Sequence, residues 1–373
     1  MKIVVDQNIR GAEETFGRHA DLVFKDGREI CAGDLSDADA LVVRTATQVN
    51  RKLLQFSPVR FVGTTSIGID HLDTGWLDQQ GIRWANAPGC NADAAAQYTL
   101  AMIWLACQRM GRALNTLSVG IIGRGNVGSR LDRLLRAFGV KTLANDPPLA
   151  EQGESGLVSL EEVLSQDIVS LHVPLTEAGA HPTQRLIGAG QLSLMPDGAL
   201  LVNAARGDVV DGAALVRELR SRRLFAALDT WPGEPLIDHQ LLEAAVVATP
   251  HVAGYSNDGK RNGTYIVYRA FCRHTGLPAP DLPKPPGPLP HLSVKAEDDC
   301  ISRALDAACF VRRHDTEMKS LLGRDIRQRA SEFDRLRRDY PPRRDFQAWS
   351  VDCRDAASAR LLGLLGFVAS TTE

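Results

Sequence analysis

Three polar residues each follow an apolar run in the second half of this sequence. Arg206 follows Leu200–Asn203, Glu234 lies in Asp229–Pro235 after Phe225–Leu228, and His251 follows Val246–Thr249. Their types suit one reaction. Oxidising an alcohol to a ketone needs a group that takes the hydroxyl proton while hydride departs, and a histidine does this near neutral pH. A carboxylate beside it fixes the tautomer and favours the imidazolium. An arginine fork can grip a substrate carboxylate at two points and polarise the developing carbonyl. Taken singly, each residue also fits a plainer role: a packing histidine, a turn acid, a surface ion-pair member. Their joint occurrence behind a dinucleotide motif shifts the reading towards catalysis.

That motif is Gly123-Arg124-Gly125-Asn126-Val127-Gly128. It sits between an expected strand, Ser118–Ile122, and an expected amphipathic helix through Leu131–Phe138, as phosphate binding requires. The first glycine makes the turn, the second admits pyrophosphate to the backbone, and the third lets helix and strand pack closely. The helix N-terminus adds free N–H groups and partial positive charge. Asp146, eighteen residues after Gly128, ends the next run and can accept hydrogen bonds from ribose hydroxyls. No Lys or Arg lies between Lys141 and Arg185 to neutralise a 2′-phosphate, so NAD is expected and not NADP. Asp146 also fits a loop acid ahead of Pro147 and Pro148.

The elements that must position these groups are short apolar runs alternating with helix-compatible stretches. The first ninety residues give Lys2–Asp6, Leu22–Phe24, Leu41–Arg44, Phe61–Thr64 and Gly81–Ala85. A helical pattern, Ala92–Arg109, precedes a second series: Ser118–Ile122, Lys141–Asn145, Ile168–Val173, Ala199–Asn203, Phe225–Leu228 and Val246–Thr249. Alternation of this kind predicts two α/β domains with parallel sheets. Ligands then bind at the carboxyl ends of the strands, where Arg206, Glu234 and His251 fall. In the first domain Thr45 and Ser66 stand at strand ends, where they and Arg44 could receive a phosphate or carboxylate, or serve as ordinary turn residues. His71 is a rival histidine in a loop entering a helix. Cys90 is a candidate for a lowered thiol pKa, or a structural cysteine.

Composition narrows the classes. At 373 residues the chain suggests two or three domains of roughly 150 residues each. With 43 basic and 45 acidic residues its net charge is −2, which argues against a general polyanion binder and so against nucleic acid. No apolar span reaches the roughly 18 residues a membrane crossing needs; Ala94–Cys107 is interrupted by Gln97. The opening Met1–Asp6 puts an acid where a secretory peptide needs an apolar run. The seven cysteines, at positions 31, 90, 107, 272, 300, 309 and 353, include no C-x-x-C pair. They are read as reduced thiols of a cytoplasmic protein, with neither disulfides nor a metal site.

The segments Gly123–Gly128, Asn203–Gly207, Asp229–Pro235 and Thr249–Gly254 together resemble the D-2-hydroxyacid dehydrogenase family. Lys2–Asp6, Val43–Thr45, Gly63–His71, Ala87–Asn91, Asp146–Pro148, His251–Tyr255 and Phe333–Tyr340 are similar to a subgroup acting on 4-phosphoerythronate in vitamin B6 synthesis. The resemblance implies a flavodoxin-like substrate domain, a Rossmann NAD domain and a small α+β C-terminal dimerisation domain. It makes Arg206, Glu234 and His251 catalytic. It puts cofactor contacts at Gly123, Gly125, Asn126, Val127, Gly128, Asp146, Val173, Ala204, Ala205, Arg206, Asp229 and Gly254. Substrate contacts fall at Thr45, Ser66 and Tyr255. Thr45 stands where the pattern has serine and Ser66 where it has threonine, so both keep a hydroxyl. Val173 replaces a threonine, which leaves only backbone contact there.

The resulting organisation is 1–92 with 256–277 for substrate, 93–255 for NAD, a proline-rich linker 278–290 and a dimerisation domain 291–373. Seven of the thirteen linker residues are proline, a density that favours an extended spacer. Hinges are expected near Asn91 and Gly254. Within Arg324–Arg344, eight arginines accompany four acids, and Ile326, Phe333, Leu336 and Tyr340 form an apolar stripe expected to face a second copy. The expected activity is NAD-linked oxidation of a small phosphorylated hydroxy acid by a homodimer. The alternatives are another acid, such as 3-phosphoglycerate, and a non-catalytic NAD-sensing corepressor.

Overall fold

The computed structural model describes residues 1–279, 281, 290–295, 299–341 and 343–371. It forms two units, Met1–Asn91 with Ser256–Pro288 and Ala92–Tyr255 with Leu289–Glu373.

In the first unit five strands, β1 (Lys2–Asp6), β2 (Asp21–Lys25), β3 (Ala40–Val43), β4 (Phe61–Thr64) and β5 (Arg83–Ala85), lie parallel in the order β2-β1-β3-β4-β5. The inner strands are apolar on both faces, as a covered parallel sheet requires. Period-two alternation sends Val4, Leu41, Val43 and Val62 to one core. Ile3, Val5, Val42 and Phe61 go to the other, against Val267, Tyr268 and Phe271 of the helix Asn257–Thr275. The strand order reverses between β1 and β3, and in sheets of this topology ligands bind outside the carboxyl ends at such a reversal.

The second unit carries six parallel strands: β6 (Ser118–Ile122), β7 (Lys141–Asn145), β8 (Ile168–Leu171), β9 (Leu200–Asn203), β10 (Phe225–Leu228) and β11 (Val247–Ala248). Their order is β11-β10-β9-β8-β6-β7, with the reversal at β6 and β8. The helix Ala92–Arg109 buries 14 of its 18 residues, so it lacks the polar face of a surface helix.

The small C-terminal domain has three parallel strands, β12 (His291–Ser293), β13 (Ser350–Cys353) and β14 (Val368–Thr371), with helices Cys300–Cys309, Val311–Lys319, Ile326–Arg338 and Ala356–Leu365. Its Ile301, Leu305, Phe346, Leu362 and Phe367 share one apolar core with Tyr98, Met102, Val119 and Ile121.

Three expectations change here. The stripe on Ile326–Arg338 is spent within the chain: Phe333 is fully buried and Leu336 packs on the core of β8, β9 and β10, while the Tyr340 ring lies against His314. Only Ile326 stays exposed. The cysteines are not all thiols, because Cys300 and Cys353 are disulfide-bonded; the other five are free. The pair is separated by 53 residues and joins a helix start to a strand end, so no local spacing announces it. Cys90 gains no acidity; burial pushes its thiol up to about 11. Of the predicted linker, all but 278, 279, 281 and 290 lies outside the described residues.

His314 is 1% exposed, and its Nδ1 shares a 2.8 Å hydrogen bond with the Tyr98 hydroxyl. Burial first, then the charges of Arg343 and Arg313, push its pKa from 6.5 down to about 3. Below pH 6.5 the unfolded chain binds a proton that the folded chain refuses, so stability falls as pH drops from 6.5 towards 3. Thermal unfolding across that window is expected to show a shallower loss in His314→Gln than in the parent protein.

Candidate active site

The dinucleotide loop has the backbone that its glycines permit. Gly123 has φ 89°, and an added Cβ would sit 2.8 Å from both His172 C and Val173 Cγ1. At Gly128 a Cβ would fall 2.0 Å from the Gly123 carbonyl oxygen, so only glycine lets the helix Asn126–Ala137 close on β6. At Gly125 a Cβ would meet nothing within 4 Å, which leaves the backbone open to a ligand. The helix N-terminus has no side-chain cap, so its first N–H groups suit a pyrophosphate. Asp146 accepts from Arg124 N at 2.7 Å and Leu149 N at 3.2 Å. The Arg124 guanidinium lies 3.4 Å from Glu154 and 3.8 Å from Asp132. These residues fit NAD. Asn126 is exposed, Val127 half-buried, and Val173 closes the loop from β8.

The three expected catalytic residues stand on adjacent loops after β9, β10 and β11. His251 Nδ1 donates to Glu234 Oε1. A carboxylate only accepts, so Nδ1 carries the hydrogen and Nε2 keeps its lone pair. The other Glu234 oxygen accepts from Trp231 N at 3.2 Å, which orients the carboxylate. Arg206 is exposed, and Nη1 donates to Ala205 O at 2.8 Å. Among the described residues no carboxylate pairs with it, so its charge is available to an anion.

Residues with no role in the sequence reading tie these loops together. Asn203 Nδ2 donates to Arg206 O at 2.9 Å, while its Oδ1 accepts from Ala205 N at 3.0 Å. That shapes the turn through Ala204 and Ala205. An added Cβ at Gly207 would lie 2.0 Å from Trp231 O, so the β9 and β10 loops touch through backbone. Trp231, fully buried, donates Nε1–H to Thr249 O at 2.9 Å and reaches the β11 loop. The only signal for this frame was a buried polar residue closing an apolar run.

Asp229, expected to contact the cofactor, is also tied to the loop after β11. It is 1% exposed and accepts from Thr249 Oγ1 at 2.6 Å, Val252 N at 3.0 Å and Ala253 N at 2.9 Å. That grip surrounds His251, whose φ of 55° is a left-handed conformation a histidine holds only when its surroundings enforce it. Gly254 and Tyr255 follow directly and are half-buried.

In the first unit Thr45 and Ser66 follow the neighbouring strands β3 and β4, Thr45 exposed and Ser66 half-buried. The charge of Arg44 is largely met by buried Asp6, through contacts of 3.0 and 3.2 Å. His71, 5% exposed, hydrogen-bonds Thr64 Oγ1 at 2.9 Å, and burial lowers its pKa. It has the marks of a core histidine.

Residues 91–253 match the D-isomer specific 2-hydroxyacid dehydrogenase NAD binding domain, and residues 282–366 match a domain of unknown function, DUF3410. The erythronate-4-phosphate dehydrogenase of Serratia proteamaculans is 42% identical over 99% of this chain and 100% of its own length. That of Edwardsiella ictaluri is 43% identical, covering 99% of each chain. The chain belongs to the erythronate-4-phosphate dehydrogenase family. NAD is its cofactor, and it has the family's oxidoreductase fold. The structure is similar to D-lactate dehydrogenase from Aquifex aeolicus complexed with NAD and lactic acid, at TM-score 0.57 and 26% identity, over 74% of this chain and 96% of that one.

Two substitutions test the cofactor loop. Asp146→Ala is expected to weaken NAD binding about tenfold or more and to narrow the gap between NAD and NADP, read by titration of the two cofactors. Gly128→Ala is expected to destabilise the unit by about 1–3 kcal/mol through overpacking, read by denaturant unfolding.

Proposed function

We propose that the protein oxidises the 2-hydroxyl of 4-phospho-D-erythronate to 2-oxo-3-hydroxy-4-phosphobutanoate, as a cytoplasmic step towards pyridoxal 5′-phosphate. The observation that carries the reading is the His251–Glu234 hydrogen bond, which leaves Nε2 as a base; the β9 loop carries Arg206, which has no acidic partner among the described residues. The full-length similarity to erythronate-4-phosphate dehydrogenases supports the substrate.

In this reading residues 93–255 hold NAD, 1–92 with 256–277 hold substrate, and 291–373 join two copies. Gly123, Gly125, Asn126, Val127 and Gly128 cradle the pyrophosphate, and Asp146 takes the ribose hydroxyls. Val173, Ala204, Ala205 and Gly254 supply backbone around the cofactor, and Asp229 contacts it while holding the loop after β11. Thr45, Ser66 and Tyr255 contact the substrate.

Bound NAD supplies the acceptor for the hydride from C2. Arg206 grips the substrate carboxylate and polarises the oxygen on C2. His251 Nε2 takes the hydroxyl proton as the carbonyl forms, and Glu234 stabilises the resulting imidazolium, which then passes the proton to water. In the reverse direction the imidazolium returns the proton to the same oxygen.

NADH formation with 4-phosphoerythronate, run beside 3-phosphoglycerate and D-lactate, checks the reading, and a parallel assay with an added 2-oxo acid reads the oxidised product where NADH stays bound. Phosphoerythronate is expected to be strongly preferred, and His251→Ala to lower turnover about 10³-fold while NAD still binds. Equal turnover of another acid would remove the substrate assignment; cofactor binding without any turnover would remove the enzyme. Light scattering is expected to give twice the monomer mass, and a monomer would remove the dimer.

A further inference from the structure

Beyond the sheet, the C-terminal residues reach the loop that carries His251. Strand β11 is an edge strand, a position that leaves backbone groups unpaired unless something covers them. The helix Val311–Lys319 covers it: Asp315 Oδ1 accepts from Ala248 N at 2.8 Å, and its Oδ2 holds Arg109, which donates to Val246 O. Lys319 Nζ donates to Ala245 O at 2.7 Å. Further along, Arg343 Nη2 donates to Ala253 O at 2.8 Å and to Ala94 O at 3.0 Å. Ala253 is two residues from His251 and two from Tyr255. The Tyr340 ring stands edge-on to the Tyr255 ring at 5.6 Å.

Arg343 is 2% exposed, among the described residues its Nε and Nη1 have no hydrogen-bond partner, and the buried carboxylate of Asp345 acts on its charge. Its guanidinium carbon lies 5.1 Å from the Tyr98 ring centroid. A buried guanidinium with part of its donors unmet is an expensive way to fill space. What it does hold is the carbonyl of the residue whose N–H Asp229 holds. The segment through His251 is therefore clamped from both sides, by Asp229 from β10 and by Arg343 from the C-terminal region.

We infer that Arg343 is a positioning residue for proton transfer: its bond to the Ala253 carbonyl fixes the loop that presents His251 and Tyr255. The region matched as a domain of unknown function thereby completes the reacting site of its own chain. This rests on the reading of His251 as the base. A buried carbonyl released from its donor lets the left-handed turn at His251 relax, and a small displacement of a base from its proton is enough to cost turnover.

The test compares wild type, Arg343→Ala, Arg343→Lys and Arg329→Ala. Arg329 is a second buried arginine of the same region, and it holds the carbonyls of Arg324 and of Ile237, which follows β10 and not β11. In Arg343→Ala, kcat with 4-phosphoerythronate is expected to fall about 100-fold while NAD affinity changes less than about fivefold. Amide exchange at Val252 and Ala253 should accelerate, and millimolar guanidinium should restore part of the rate. Arg343→Lys is expected to lie between Arg343→Ala and wild type. Arg329→Ala should lose stability and keep kcat. Wild-type kcat and unchanged loop exchange in Arg343→Ala would overturn the inference, as would equal kcat losses in Arg343→Ala and Arg329→Ala. Should Arg343→Ala fail to fold, Arg343→Lys decides: slowed turnover with faster loop exchange supports the clamp, and neither change overturns it. Wild type without turnover of any hydroxy acid would defeat the reading of His251 instead, and loop exchange would still report on the clamp.

Discussion

Asp229 places both oxygens of a buried carboxylate on Thr249, Val252 and Ala253, and the geometry of the proton-transferring group follows from that attachment. A short loop after an edge strand has no ladder of its own to fix it. With three donors converging on one charged acceptor, it becomes stiff enough to keep His251 at φ 55°. In that conformation Nδ1 is bonded to Glu234, which leaves Nε2 as the free lone pair. The carboxylate in contact with the imidazole sets its tautomer; the carboxylate one loop away sets where the imidazole is.

The same loops are joined without side chains where joining must be closest. Gly207 meets Trp231 backbone to backbone, and no larger residue fits there. Arg206 and Glu234 are thus fixed relative to one another by neighbouring strands β9 and β10 and by a contact that tolerates little variation. Parallel strands make this possible, because all their carboxyl ends open on the same side of the sheet. Functional groups from several loops then gather on that side.

Much of this was legible in the sequence for physical reasons. Central parallel strands are buried on both faces, so Lys2–Asp6, Phe61–Thr64, Ser118–Ile122 and Phe225–Leu228 stand out as unbroken runs whose ends match the strands. The glycine loop was legible because the turn and the close packing both forbid a side chain. Residue type and strand-end position picked out Arg206, Glu234 and His251. Direction was not legible. Asp229 also stands at a strand end, and nothing in its neighbours says that it turns inwards to backbone donors. The stripe Phe333, Leu336 and Tyr340 was readable as apolar, but periodicity cannot say whether it covers another chain or its own core. Contacts across long separations, such as Cys300 with Cys353 and Arg343 with Ala253, leave no trace in local spacing.

An open edge strand explains why the C-terminal region joins the nucleotide-binding unit. β11 pairs on one side only, and its exposed N–H and C=O groups would template another chain. Asp315, Arg109 and Lys319 satisfy backbone groups on and beside it with side chains instead of a further strand, which stops the sheet without extending it. Once those helices lie along β11, the loop that leaves it lies beneath the same elements, and its carbonyls need donors of their own. Arg343 supplies one. The covering of an edge and the support of a catalytic loop are thus consecutive steps of one packing problem, solved by the same stretch of chain.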